Sequence, residues 1–373
     1  MQRRKFTKVL GTGGLLASFS QAQNQSPDAV KVGVVTHAGG SHLDLYFAAL
    51  ADTQDCNSVV LSDPSGKSFK SARQILGTKL IATYSDLAEM LRSEKPQMTL
   101  VTMEAVSAPE AIHMCLDANC HVLAEKPSCV NSADFELLTE KAHAKNLHLM
   151  LALANRLNPE IVEARRLIRE GKIGQVYGLD AYLIADQTRL GRTSYQKSWR
   201  AQKARAGGGH LIWLGIHWLD LAMYITGLQV TEVAGFTGVV GGQPIDTEDS
   251  AAIAMKFSNG AFGTMTSGYY LDRRYHSQIK IWGSAGWLEL QRWRGDMQEF
   301  PLEWYSTTEK EPRIHRFKNP GMPTGYTPLV KAAIRASAGL GDPPLTADDG
   351  LQVLKTIFSA YTAAETGRTQ QIT

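Results

Sequence analysis

Between residues 30 and 153, short apolar runs alternate with helix-like stretches, and that alternation limits the possible folds more than any other feature of the chain. Residues 30–35 are a valine-rich run, the pattern of a parallel strand covered on both faces. A Gly-rich turn follows, then a helical stretch at 43–51. Residues 58–61, 80–83, 98–102, 121–124 and 147–153 read as further strands, and 86–91, 108–116 and 132–144 as helices between them. Strands and helices repeating at this spacing predict βαβ units and an α/β, doubly wound parallel sheet of Rossmann type.

The turn after the first strand bears on what such a sheet holds. A dinucleotide site uses G-x-G-x-x-G: one Gly for the tight turn, one for close approach of the pyrophosphate, one for helix packing. Here the three positions are Thr36, Ala38 and Ser41, all small and none Gly, while Gly39 and Gly40 fill the gaps. Gly39, Gly40 and Ser41 at a helix N-terminus still offer backbone N–H groups and a dipole to a phosphate. Asp63 ends the second strand, where a carboxylate bonds a ribose 2′-OH and repels a 2′-phosphate, which favours NAD over NADP. The other reading of Asp63 is a cap for the turn that follows it.

Further along stand Glu125-Lys126-Pro127, Asn155-Arg156-Leu157-Asn158-Pro159, Trp199-Arg200, Gly207-Gly208-Gly209 and Gly215-x-His217-x-x-Asp220. Near the end come Thr346-Ala347-Asp348-Asp349-Gly350 and Glu365-Thr366-Gly367-Arg368. This set resembles the Gfo/Idh/MocA family of glucose–fructose oxidoreductase and inositol dehydrogenase. The resemblance implies an NAD(P)-binding Rossmann domain over residues 28–153. It also implies a C-terminal α/β domain over 154–373 with a large, open, mostly antiparallel sheet that commonly builds a dimer or tetramer, and a last helix that packs back on the first domain. It places Lys126 and His217 beside the nicotinamide and the reacting sugar carbon; Glu125 and Arg156 are taken with the cofactor group, and Trp199, Arg200 and, on its own ring chemistry, Trp213 with the substrate. The later sequence agrees on its own account. Residues 176–184, 232–240, 250–257, 261–270, 278–282 and 286–291 read as strands, and Asn259-Gly260 is a strong hairpin signal. Tyr269, Tyr270, Trp282 and Trp287 fall on this sheet as core, interface or sugar-stacking aromatics.

Three departures from the family pattern matter. The carboxylate four residues before the His is replaced by Trp213; indole accepts no proton, and the ring either packs or stacks on a sugar. His210, one helical turn further back, and Asp220, three residues beyond His217, are candidates to take over its role. The loop 103–107 keeps neither the Pro-Asn nor the His common in the family. Third, the Gly turn is altered. Separately, Arg189, Arg192, Lys197, Arg200, Lys203 and Arg205 occur in a stretch without an acid. That stretch reads as a solvated basic loop or as a guide for anionic sugars.

The N-terminus sets the expected location. Arg3, Arg4, Phe6 and Lys8, an apolar stretch at 9–19 and small residues before a cut after Ala22 resemble a twin-arginine export signal over residues 1–22. An ordinary secretory signal and a basic tail are the alternatives. The apolar stretch is too short for a membrane span. Four of the 39 Lys and Arg lie in this leader with no acid, leaving 35 against 36 Asp and Glu, a balance that points to neither nucleic acid nor anionic membrane. Cys56, Cys115, Cys120 and Cys129 form no metal spacing and are expected as free, mostly buried thiols; no metal site is expected.

These readings converge on an exported, periplasmic oxidoreductase acting on a carbohydrate hydroxyl, with NAD tightly bound and recycled within each turnover. Lys126 orients the hydroxyl and steadies oxyanion charge, and an imidazole, His217 with His210 as its possible support, takes the proton. The alternatives are an NAD-assisted glycosidase or epimerase, which oxidises, eliminates and reduces, and a sugar-binding protein of the same fold without catalysis.

Overall fold

The computed structural model describes residues 29–271, 274–293 and 299–372; the expected export leader lies outside them. Six strands form the first sheet: β1 (Val30–Thr36), β2 (Cys56–Ser62), β3 (Leu80–Tyr84), β4 (Met98–Thr102), β5 (His121–Ala124) and β6 (Leu149–Leu151). All pair in parallel, in the order β3-β2-β1-β4-β5-β6. Helices α1 (Leu43–Asp52), α2 (Phe69–Leu76), α3 (Leu87–Glu94), α4 (Ala108–Asp117) and α5 (Ser132–Ala144) connect them. The valines of β1 and the whole of β4 are buried, as strands covered on both faces must be. The strand order reverses between β1 and β4, which opens a crevice at the carboxyl ends of those strands.

The second sheet has nine strands: β7 (Val176–Asp186), β8 (Val230–Gly238), β9 (Ser250–Phe257), β10 (Phe262–Leu271), β11 (His276–Gly283), β12 (Gly286–Trp293), β13 (Leu302–Ser306), β14 (Ile314–Phe317) and β15 (Gln370–Gln371). Their order is β14-β13-β12-β11-β7-β10-β9-β8-β15, antiparallel except for β7 beside β10. The Asn259-Gly260 hairpin joins β9 to β10, with Gly260 at φ +87° and the Asn259 side chain accepting from the Ala261 N–H.

Helix α6 (Pro159–Arg169) packs on a helix that carries His217. Between them in sequence lie two single-turn helices, α7 (Thr193–Gln196) and α8 (Lys203–Ala206); the His217 helix is α9 (Ile216–Thr226), followed by α10 (Tyr326–Ser337) and α11 (Ala347–Thr366). Thr346 caps α11 in a capping box with Asp349, and α11 packs against both β8 and α5. Lys355 reaches Glu136 across that contact at 2.7 Å. One continuous apolar core runs through both sheets. Among the described residues no helix is long and apolar enough to cross a membrane, and no group of ligating side chains is placed to hold a metal. The four cysteines are free and buried.

Candidate active site

The turn after β1 is built by substitution. Thr36, at the position of the first family Gly, donates its hydroxyl to the Thr102 carbonyl on β4 at 2.8 Å, and Thr102 returns a bond to the Ser41 carbonyl at 2.7 Å. A Cβ on Gly40 would lie 2.2 Å from the Thr36 hydroxyl and 2.7 Å from the Thr102 carbonyl oxygen, so only Gly fits. Gly39 sits at φ +94°. His37 locks the turn to the next loop: Nε2 accepts the Glu104 N–H at 2.7 Å and Nδ1 donates to the Ala38 carbonyl at 2.8 Å. Sequence reasoning passed over His37, although it stands inside the motif.

A groove of about 390 Å³ opens over this turn, lined by residues 37–40, His42, Asp63, Lys67 and Ser68 among others. Asp63 lines it, yet its carboxylate also serves the β2–α2 turn. Oδ1 accepts from the Ser65 N–H (2.9 Å) and hydroxyl (2.7 Å), and Oδ2 accepts from the Ser68 N–H (2.9 Å) and hydroxyl (2.7 Å). The capping reading therefore describes Asp63 here, and a ribose hydroxyl has to displace a serine hydroxyl to reach it.

A second cavity of about 430 Å³ continues between the two sheets. Its lining includes His42, Asn155, His217, Tyr275, Ser277 and Tyr326, and it shares His42 and Leu45 with the groove. The groove over the Gly turn and the cavity at His217 thus adjoin at the start of α1.

Lys126 follows β5 and is buried. Its ammonium donates to the Trp213 carbonyl, lies 4.8 Å over the Trp213 ring and 3.9 Å from Glu125. Burial is the main cause that brings its pKa down to about 8; Glu125 opposes the shift, and Arg200 and Arg189 add to it. Glu125 accepts the Tyr46 hydroxyl and lies 3.2 Å from His42 Nδ1, so it supports the lysine from the α1 side and lines neither cavity. Trp199 is buried edge-on against Trp213 at 4.9 Å, with Arg200 over its ring at 4.6 Å. Arg200 spans back to the Gly turn, donating to the Ser41 hydroxyl at 2.7 Å and the Gly39 carbonyl at 3.4 Å.

Several expectations need correction. Trp213 and Trp199 do not offer open faces for a sugar: each is under a tenth exposed, with a cation over its ring. His210 does not share the face of His217. Residues Leu211–Gly215 form a π-helix, whose i→i+5 bonding takes more residues per turn than the 3.6 of an α-helix, so the two imidazoles are rotated apart. His210 Nδ1 instead meets the Ser267 hydroxyl at 2.6 Å, and its ring packs edge-on to Tyr269 at 4.4 Å. Burial, with Arg189 and Lys126 adding, lowers its pKa to about 3, so it stays neutral.

Asp220 is not a partner for His217 either, since Arg156 takes both its oxygens at 2.6 to 3.1 Å. Arg156 also reaches Asp349 at 3.0 Å; it ties α9 to the start of α11 and lines neither the groove nor the cleft. The Gly triplet is explained by packing: a Cβ on Gly209 would lie 1.9 Å from the Glu248 carbonyl oxygen.

Within the basic stretch, Arg192, Lys197 and Lys203 are exposed, whereas Arg189 and Arg200 turn inward. Arg189 donates to the Tyr275 hydroxyl at 2.5 Å and lies over the rings of Tyr269 and Tyr275.

Comparison with known proteins places this geometry. Residues 9–153 match the model of an oxidoreductase family with an NAD-binding Rossmann fold (GFO/IDH/MocA), and residues 161–289 match the GFO/IDH/MocA C-terminal domain. The chain is 24% identical to myo-inositol 2-dehydrogenase of Thermotoga maritima over 61% of its own length and 65% of the relative's. It is 23% identical to D-apiose dehydrogenase of Paraburkholderia graminis over 88% of its length and 86% of the relative's. The chain spans less than two thirds of several curated relatives, 47% in the case of an uncharacterized oxidoreductase of Schizosaccharomyces pombe. Among solved structures, an oxidoreductase domain protein from Kribbella flavida is similar with a TM-score of 0.82 at 25% identity, covering 92% of this chain and 100% of that one.

Proposed function

This chain belongs to the Gfo/Idh/MocA oxidoreductase family, and from that premise we propose that it oxidises a carbohydrate hydroxyl with NAD held along the path from the Gly turn to His217. The observation that carries this reading is that the groove over the Gly turn and the cavity at His217 adjoin, with His42 and Leu45 of the α1 end in the lining of both. The residues fit the cofactor: Gly40 lets the turn pack tightly on Thr36 and Thr102 at the carboxyl ends of β1 and β4, and the turn opens onto the α1 N-terminus. Arg200, bonded to Ser41, adds a cation there.

NAD supplies a hydride acceptor. Loss of hydride from a carbinol carbon turns C–OH into C=O, and the hydroxyl proton needs a base. His217, half-buried in the cavity wall, accepts that proton. To the Lys126 ammonium, which is buried beside the cleft and lines neither cavity, we assign the orienting of that oxygen and the stabilising of its developing charge. Trp213 supplies no carboxylate to His217; its carbonyl anchors Lys126 instead.

Residues 1–22 are read as a twin-arginine leader, so the mature protein works outside the cytoplasm, where no nicotinamide supply is expected. The cofactor then stays bound, and each turnover returns its hydride, either to a second sugar or to the same one after elimination or epimerisation. The face of the second sheet that carries Phe236, Phe262 and Trp282, 82, 68 and 42% exposed, is the surface proposed to pair with another copy. Native mass spectrometry of the exported protein tests these points together. The expected masses are those of chains beginning after Ala22, assembled in more than one copy, with one NAD(H) each. An uncut, monomeric, nucleotide-free chain contradicts them.

A further inference from the structure

Three cations lie beside the cavity that holds His217, none of them in its lining: Arg189 bonds Tyr275 of the cavity wall, Lys126 bonds the Trp213 carbonyl, and Arg200 bonds the Gly turn. Arg189 and Arg200 each weaken the hold of Lys126 on its proton, and Arg189 and Lys126 do the same to His210, so all act on one small volume. Two carboxylates lie near: Glu125 beside Lys126, and Glu248. Glu125 Oε2 accepts the Tyr46 hydroxyl while its Oε1, 3.2 Å from His42 Nδ1 and 3.9 Å from Lys126 Nζ, accepts no hydrogen bond among the described residues, and Glu248 accepts the Gly209 and Leu211 N–H groups and the Tyr361 hydroxyl. Among the described residues, neither Arg189 nor Arg200 has a carboxylate within ion-pair distance.

The two arginines differ in where they reach. Arg200 bonds the Gly turn and so belongs to the phosphate side. Arg189 follows β7, half-buried, held by the Tyr275 hydroxyl, and Tyr275 lines the same cavity as His217. One of its five N–H donors is used by that bond; the ring faces of Tyr269 and Tyr275 attract the cation but accept no hydrogen bond in the plane of the fork. A planar guanidinium flanked by aromatic rings matches a carboxylate through two parallel bonds, a geometry that the hydroxyls of a neutral sugar do not reproduce.

We infer that Arg189 reads a carboxylate on the substrate, and that the cleft takes a uronic acid in preference to the corresponding neutral hexose. This rests on the reading of the cleft as a sugar site.

The test is calorimetric titration of the purified protein, with its nucleotide content recorded, using D-glucuronate, D-galacturonate, D-glucose and D-galactose. The expected result is at least about 30-fold tighter binding of one uronate than of its hexose. In Arg189→Leu that preference falls to within about threefold, Arg189→Lys recovers part of it by charge alone, and the exposed Arg192→Leu keeps it whole. Leucine relieves a partly buried charge, so the variant is expected to fold. Equal binding of uronate and hexose, a preference that survives in Arg189→Leu, or no binding of any of the four overturns the inference. Oxidation of the neutral hexoses alone overturns it while leaving the oxidoreductase reading intact. A uronate preference in a protein that never holds NAD keeps the inference and removes that reading.

Discussion

Replacing Lys126 by methionine is expected to lower kcat/KM by about a hundred- to a thousandfold, the scale of losing one positioned electrostatic stabiliser. Methionine keeps the length and apolar bulk of the stem while removing the charge. It leaves the Trp213 carbonyl without its donor, a cost of about 1–3 kcal/mol, and the buried Glu125 without its neighbouring cation; relief from burying an ammonium offsets part of this. The variant should therefore fold and still bind NAD. Arginine should not rescue it, because a forked guanidinium cannot occupy a pocket closed by Trp213 and Glu125.

The same residue predicts a pH profile. The charged form is the active one, so wild-type kcat/KM falls as pH rises through about 8. Unfolding does not explain that fall. Between about 8 and the ordinary lysine value of 10.5 the unfolded chain binds the proton that the folded chain has released, so this group's contribution to stability rises with pH across the window. Steady-state kinetics from pH 6.5 to 9.5 checks both points. Normal turnover in Lys126→Met, or a flat wild-type profile, contradicts the assignment.

Asp220→Ala is expected to destabilise the protein by about 3–5 kcal/mol, because it leaves the buried Arg156 guanidinium with Asp349 alone. Burial raises the Asp220 carboxyl pKa, and Arg156 opposes this most, with Arg165 adding to it, so neither member is comfortable without the other. Replacing both, as Arg156→Leu with Asp220→Leu, should cost clearly less than the sum of the single changes, since no unpaired charge remains. Because Asp220 lies on the helix that carries His217, the single variant should also lose turnover before global unfolding. Urea unfolding of the three variants measures the coupling; additive effects, or a loss below about 1 kcal/mol for Asp220→Ala, contradict it.

Local spacing made much of this molecule legible. β1, β4 and β5 could be read because strands buried on both faces must be apolar along their length, and Lys126 because its neighbours place it at the end of such a strand. β13 and β14 were not read: Glu303, His315 and Arg316 interrupt their apolar residues, and both lie toward the edge of the sheet. α2 escaped for a similar reason, its buried Ala72 and Leu76 standing among Lys70, Ser71, Arg73 and Gln74.

The site failed where partners are distant in sequence. Nothing local reveals that Asp220 is committed to Arg156, 64 residues away, or that Tyr275, 86 residues on, turns Arg189 inward while Arg192 stays in solvent. Asp63 was the opposite case. Its partners, Ser65 and Ser68, lie within five residues, and the Ser-Gly-Lys-Ser run was itself a turn signal. The π-helix misled most, because a 3.6-residue period assumed across Leu211–Gly215 put His210 on the wrong face.

The most direct test is absorbance at 340 nm after mixing the NAD-loaded protein with a panel of neutral and acidic sugars. A rise of up to one equivalent of NADH per chain with at least one sugar, absent in Lys126→Met, is the predicted result. A wild-type protein that holds NAD yet shows no absorbance change with any sugar, or that responds equally with and without the lysine, contradicts the account.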